Sequence, residues 1–146
     1  GRKSALPRDS LQMDSPEAPA GFLQAQEGNI LLATGAKELP AFQGIDPGRL
    51  FPRVLPVEES LQACRRAGIP TKHIIAMQGP FSQKLNEAIL EQYRIRWLVT
   101  KDGGSPGGFP EKAAAARRTG AALVVIRRPE ERGEDLNSIL AWLTSP

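Results

Sequence analysis

The stretch IIAMQGPFS, residues 74–82, shows the pattern that decides the fold: an apolar run stops at a Gly-Pro turn, and a serine then precedes a helix-forming segment. A continuous apolar run bounded by turn residues is typical of a strand buried on both faces, as in parallel sheets. Four other runs have this form: ILLATG at 30–35, LFPRVLP at 50–56, WLVTKDG at 97–103 and LVVIRRP at 123–129. The chain therefore contains five predicted strands.

Amphipathic segments separate these strands, and their apolar residues recur at helical spacing. The segments lie at 57–64, 85–93, 113–116 and 136–143. Gly68 and Gly120 stand where helix C-terminal caps are expected. Five strands alternating with helices predict an α/β fold over residues 28–146, with a doubly wound, Rossmann-like, five-stranded parallel sheet.

Residues 1–27 differ in composition from the rest of the chain. Pro7, Pro16 and Pro19 lie among Ser, Gln, Glu and Gly, and the apolar residues show neither strand nor helix periodicity. This composition predicts an irregular arm or an interdomain linker.

Composition argues against several classes of function. The 146 residues carry a net charge of +3 and only 5% aromatics, which disfavours nucleic-acid binding, where a dense basic stripe or stacking rings are expected. Cys64 and His73 are the only cysteine and histidine, so no metal site is expected. We assign Cys64 to the core, and His73 to a structural or exposed position. No apolar run approaches the roughly 20 residues of a membrane helix and no signal peptide opens the chain, so we expect a cytoplasmic protein without a membrane partner.

The unusual residues of the chain follow the predicted strands. Ligands of open parallel sheets bind outside the carboxyl ends of the strands. Glycines there allow close approach to the backbone, cations attract anions, and Ser82 is expected to cap a helix whose N-terminus favours an anion. The candidate cofactor- or substrate-binding residues are Thr34, Gly35, Lys37, Gln78, Gly79, Pro80, Phe81, Ser82, Lys101, Asp102, Gly103, Gly104 and Arg128.

Two alternatives stay open at these loops. Glycines and prolines also form tight turns that bind nothing, and the glycine run at 103–108 lacks the spacing of a dinucleotide or P-loop fingerprint. Asp102 is the one loop carboxylate placed for acid–base or hydroxyl-binding work, yet a turn residue that bonds its own backbone explains it equally well. No catalytic residue is assigned.

Several of these loops resemble the precorrin-6A reductase family. The matching stretches are RVLP at 53–56, AMQGPFS at 76–82 with Asn86, TKDGG at 100–104 leading to Gly107-Gly108 and Glu111-Lys112, and IRRP at 126–129. The family usually has Ser after Lys-Asp, where Gly103 stands here, so that loop is expected to hold its ligand differently. The resemblance runs from about 30 to 129 and corresponds to the C-terminal half of the family. The N-terminal domain, with its glycine-threonine nucleotide loop, is therefore expected as a missing partner of this chain.

The resemblance implies an oxidoreductase that uses NADPH to reduce a double bond of a tetrapyrrole, precorrin-6A or cobalt-precorrin-6A, in corrin-ring (cobalamin) synthesis. It also implies that loops 34–37, 78–82 and 101–108 face a cleft between two α/β domains, with either cofactor or substrate as their ligand. A domain that forms only one side of this cleft is expected to be inactive alone. The alternative is a non-catalytic α/β domain that binds a ligand or regulates, which would use the same sheet edge.

Overall fold

The computed structural model describes residues 10–101 and 108–127. In this part of the chain the strands are β1 (Leu11–Met13), β2 (Asn29–Ala33), β3 (Leu50–Val54), β4 (Ile75–Ala76), β5 (Ile95–Lys101) and β6 (Ala122–Ile126). The α-helices are α1 (Glu17–Gln24), α2 (Glu58–Arg66), α3 (Gln83–Gln92) and α4 (Phe109–Thr119), with 3-10 turns at Ala36–Phe42, Pro47–Arg49 and Thr71–His73.

The strands form one parallel sheet in the order β1-β6-β5-β2-β3-β4. The predicted doubly wound α/β class is confirmed, but the predicted number of strands was wrong, since the described residues alone form a sheet of six strands rather than five. From β2 the chain winds outward through β3 and β4 on one side, and later through β5 and β6 on the other. The switch point of the sheet therefore lies between β2 and β5, and ligands of such folds bind near this point, outside the carboxyl ends of the strands.

Helices cover both faces of the sheet, which explains why the strands read as unbroken apolar runs. On one face the buried cluster joins Leu32 and Val99 of the sheet to Leu23 of α1 and Cys64 of α2. On the other face Leu98 packs with buried residues of α3 and α4. Cys64 lies in the core, as its helical apolar face predicted.

The interpretation of residues 1–27 as an irregular arm was wrong for the part that the structure describes. β1 pairs with β6 at the sheet edge, and α1 buries Leu23. Trp97 fixes this segment, because its indole N–H donates to the carbonyl of Glu27 at 2.8 Å and its ring meets Phe22 edge-on at 5.5 Å between centroids. Residues 1–9 lie outside the described part.

The two glycines expected at helix C-termini, and His73, lie where the sequence predicted. Gly68 directly follows Ala67, the C-cap residue of α2, and Gly120 is the C-cap residue of α4. Both glycines have left-handed backbone angles. His73 is structural, since its ring stacks on Phe51 at 3.9 Å and its Nδ1 lies 3.2 Å from the carbonyl oxygen of Leu50. The helix predicted at 136–143 lies outside the described residues. Within residues 10–101 and 108–127, none of the helices is both long and apolar enough to cross a membrane.

Candidate functional site

A cavity of about 440 Å³ opens at the carboxyl edge of the sheet, beside the switch point. Its walls come from the ends of β2 and β3, the loop after β4, and the first turn of α4. The described lining residues are Ala33, Gly35, Arg53, Val54, Leu55, Met77, Gly79, Pro80, Phe81, Gly108 and Lys112. Most of these are small or apolar, and two are cations.

Arg53 reaches the cavity from β3, although only 6% of its surface is exposed. Its Nη1 donates to the Oδ1 of Asn86 at 2.7 Å, and its guanidinium carbon lies 3.7 Å from the centroid of the Phe81 ring. Burial lowers the pKa of Arg53 to about 10, because the charged form loses hydration there. The ring and the amide thus hold a cation that forms no ion pair with any residue that the structure describes.

Asn86 links this cation to the start of α3. Its Nδ2 donates to the carbonyls of Ser82 (3.0 Å) and Phe81 (3.4 Å), which leaves its Oδ1 as the acceptor for Arg53. Ser82 caps α3 as predicted, with its hydroxyl accepting from the amide of Leu85 at 3.1 Å. The loop after β4 is therefore tied to α3 from both sides, and Phe81 is held over Arg53.

Lys112 is the second cation of the cavity and lies on the first turn of α4. That helix begins after Gly108, whose φ of 91° is a left-handed angle that favours glycine. The pKa of Lys112 is lowered to about 8, first by burial and then by repulsion from Arg53. A lowered pKa of this origin is typical of binding or catalytic sites.

Four of the predicted site residues come together at this cavity: Gly35, Gly79, Pro80 and Phe81. A Cβ on Gly79 would lie 2.9 Å from Cε2 of Phe81, so the loop packs the backbone of Gly79 directly against the ring. Ser82 contributes indirectly, because it is the N-cap residue of α3.

Other predicted residues lie elsewhere. Thr34 is buried, and its hydroxyl has no hydrogen-bond partner in the part of the chain that the structure describes. Lys37 lines a second cavity of about 330 Å³ between the 36–42 turn and α2. The Nζ of Lys101 lies 2.9 Å from the Oε2 of Glu38 in a half-exposed ion pair, and Gln78 is exposed. Asp102, Gly103, Gly104 and Arg128 lie outside the described residues.

The sequence reasoning missed Arg53, Asn86 and Lys112 as site residues, although all three lie in the stretches that carried the family resemblance. One further signal was available for Arg53. It is the only charged residue within the otherwise apolar run at 50–56, and a charge at a buried position usually needs a partner or a function.

The described residues contain no cluster of His, Cys, Asp or Glu suited to a metal ion. The fold and the cavity instead define the chain as a doubly wound α/β domain with a cavity, lined by two cations, at its switch-point edge. The chain belongs to the family described as Precorrin-6x reductase CbiJ/CobK, whose model matches residues 2–144. The resemblance found in the sequence is thereby confirmed.

Individual relatives agree with this family. A cobalt-precorrin-6A reductase of Priestia megaterium is 34% identical over 131 residues, which cover 86% of this chain and 51% of that protein. Proteins of the same name from Methanothermobacter thermautotrophicus (43% identical, 60% of this chain, 29% of that protein) and Salmonella typhimurium (39%, 68% and 38%) also match. The chain thus spans about half or less of the length of these relatives.

The fold has a counterpart among solved structures. A structure described as CobK precorrin-6A reductase superposes with a TM-score of 0.66 over 84% of this chain and 49% of that one, at 21% identity. At this identity the likeness concerns the fold alone.

Proposed function

We propose that this chain is the C-terminal domain of an NADPH-dependent reductase that reduces a ring double bond of precorrin-6A or cobalt-precorrin-6A in cobalamin synthesis. In this proposal the cavity at the carboxyl edge forms one wall of a cleft, and a second α/β domain forms the other. The cationic cavity carries the proposal, because both a dinucleotide and a polycarboxylate macrocycle are anionic ligands. The family and the names of the relatives support the reaction class.

The residues at this edge fit the anionic groups of such ligands. Arg53 and Lys112 supply positive charge, and the backbone at Gly35 and Gly108 leaves open space, since a Cβ at either position would meet no atom within 4 Å. Bound NADPH would supply the hydride, while the protein contributes orientation and charge. This reaction requires no nucleophile from the chain.

Dependence on a second domain can be tested with a single chain in which the N-terminal half of the Priestia megaterium relative precedes these 146 residues. Loss of NADPH absorbance in the presence of precorrin-6A or cobalt-precorrin-6A measures turnover, and that relative's full-length protein is the positive control. We expect turnover by the fused protein and none by the present chain alone, because half of the contacts bind the ligands only weakly and do not position them for hydride transfer. Turnover by the chain alone near the fused rate would refute this dependence. Tight ligand binding by the fused protein without turnover would favour the non-catalytic α/β domain.

Two variants of the fused protein test whether the site lies at this edge of the sheet. We expect Lys101→Ala to lower kcat/KM, as the sequence predicted for a cation after β5, by roughly 10- to 150-fold if it contacts an anionic group directly. Lys72→Ala is the matched control, since Lys72 is exposed at the opposite edge, beside His73. If Lys72→Ala loses activity while Lys101→Ala does not, the site lies on the other edge of the sheet.

A further inference from the structure

Two cations share the 440 Å³ cavity, and neither has an anionic partner within residues 10–101 and 108–127. The ion pairs among the described residues join Lys101 to Glu38, Arg118 to Glu87 and Arg127 to Asp14, and none includes Arg53 or Lys112. The described partner of the Arg53 side chain is the neutral amide of Asn86, at one of its five N–H donors. The two cations of the cavity therefore repel each other, and N–H donors of Arg53 remain for a ligand.

Such an arrangement is unfavourable unless a ligand completes it. A buried charge loses hydration and normally has a counter-ion or several hydrogen bonds. Here the remaining wall around the cations is apolar, from Ala33, Val54 and Pro80. An anion that enters this cavity meets two partly or fully buried cations, and the attraction there is stronger than at an open surface.

The mouth of the cavity indicates what the anion is attached to. Leu55 and Met77 line the cavity and are 50% and 37% exposed, and they are among the few large hydrophobic side chains that the described part of the chain exposes. Apolar contact at the mouth and positive charge inside suit a ligand with an acidic group on an apolar body.

We propose that Arg53 and Lys112 together bind one oxyanion, a carboxylate or a phosphate, whose apolar body rests on Leu55 and Met77. Arg53 is the fixed element, because Asn86 and Phe81 hold its guanidinium, and planar guanidinium groups match the two oxygens of a carboxylate or phosphate. Lys112 supplies the second charge from the first turn of α4, where the helix N-terminus adds to the attraction. That the oxyanion belongs to a macrocycle or to a dinucleotide rests on the proposed function, whereas the anion site itself does not.

Calorimetric titration of the 146-residue chain tests the site without any need for turnover. The probes are 2′,5′-ADP, which carries phosphates on a nucleoside, and uroporphyrin, which carries carboxylates on an apolar macrocycle. The variants are Arg53→Lys, Arg53→Gln and Lys112→Gln, and Lys72→Gln, at an exposed lysine outside the cavity, is the matched control. Thermal melting of each variant identifies any that fails to fold.

We expect saturable binding of at least one probe to the unmodified chain, and at least about tenfold weaker binding by Arg53→Gln and Lys112→Gln. Arg53→Lys should keep part of the affinity, because the charge remains while the planar geometry is lost. A response to 2′,5′-ADP assigns the site to a phosphate, and a response to uroporphyrin assigns it to a carboxylate. The inference is overturned if neither probe binds at up to roughly 10 mM, ten times a weak millimolar Kd, or if Lys112→Gln binds as well as Lys72→Gln. Anion binding that persists in a fused protein with no reductase activity would instead count only against the proposed function.

Discussion

The guanidinium carbon of Arg53 lies 3.7 Å from the centre of the Phe81 ring, and the backbone of Gly79 lies against the edge of the same ring. The loop after β4 thus acts as a support for the cation on β3. A cation over an aromatic face contributes about 0.5–2 kcal/mol, with the larger values where water is excluded. Phe81 therefore contributes to holding Arg53 in place as well as to lining the cavity.

This support predicts the effect of Gly79→Val. A new Cβ would lie 2.9 Å from Cε2 of Phe81, so we expect the ring to shift from its present position over Arg53. We expect anion affinity of the chain to fall by roughly 2- to 30-fold, the loss that corresponds to that contact, while the melting temperature changes little. Titration calorimetry and thermal melting measure the two effects. Gly21→Ala is the control, because a Cβ there meets no atom within 4 Å. Unchanged affinity in a folded Gly79→Val protein would show that the ring position does not matter for binding.

The pKa of Lys112 gives a prediction that needs no ligand. Burial and the charge of Arg53 both disfavour the protonated amine and lower its pKa to about 8. At pH 8 about half of the Lys112 side chains would be neutral, against less than about 1% for an ordinary lysine of pKa 10.4. We expect Lys112 to be acylated by a trace of acetic anhydride well before Lys72, as measured by peptide mass spectrometry.

The same measurement separates the two causes of this pKa. Arg53→Gln removes the repulsion and leaves much of the burial, so the pKa of Lys112 should rise and its acylation at pH 8 should slow. A saturating anion should slow the acylation in the unmodified chain for the same electrostatic reason. Equal rates at Lys112 and Lys72 in every sample would contradict the lowered pKa.

The segment that the sequence assigned to an irregular arm is expected to contribute to stability. Leu23 of α1 is completely buried, and its carbonyl accepts from Nη1 of Arg49 at 3.1 Å. Leu23→Ala should lower the free energy of unfolding by about 2–5 kcal/mol, as for other buried leucines. Urea denaturation measures this, with Leu11→Ala on the exposed side of β1 as the control, expected within about 0.5 kcal/mol of the parent. A loss at Leu23 no larger than at Leu11 would mean that α1 does not dock.

The contrast between these segments shows what the sequence could predict. The central strands were identifiable because helices cover both faces and the pattern is apolar throughout, as in Leu31 and Leu32. β1 has three residues, two of them exposed, and becomes a strand only through its pairing with β6, a contact that no local pattern encodes. α1 contains Pro19 and Gly21, which have low helix propensity, so tertiary packing overrides the local preference.

The candidate site, too, was predictable from the sequence only in part. The edge of the sheet was predictable, because strand ends and glycine-rich turns can be located in the sequence. The identity of the cavity cations was not, because it depends on which side chains lie near each other in space. Lys101 lies beside Glu38 and forms an ion pair, whereas Arg53 and Lys112, from β3 and α4, share a cavity without an acidic partner among the described residues.

Asn86 decides how much of the charge on Arg53 remains for a ligand. As a neutral amide at 2.7 Å, it orients the guanidinium without neutralising it. Asn86→Asp would place a carboxylate at the same distance and so supply an internal counter-ion. We expect this variant to bind 2′,5′-ADP or uroporphyrin at least about tenfold more weakly than the parent, because the ligand must compete with the new carboxylate.

Asn86→Ala is the matched comparison, because it removes the same amide without adding a charge. It leaves Nη1 of Arg53 without its partner and removes the donors to Phe81 and Ser82, so unfolding should become easier by about 1–3 kcal/mol. Its anion affinity should nevertheless exceed that of Asn86→Asp, because the cation stays unneutralised. Titration of both variants, with urea denaturation alongside, gives the order. If Asn86→Ala binds the anion no better than Asn86→Asp, Asn86 acts only by positioning Arg53, and the missing counter-charge is not what makes the cavity bind.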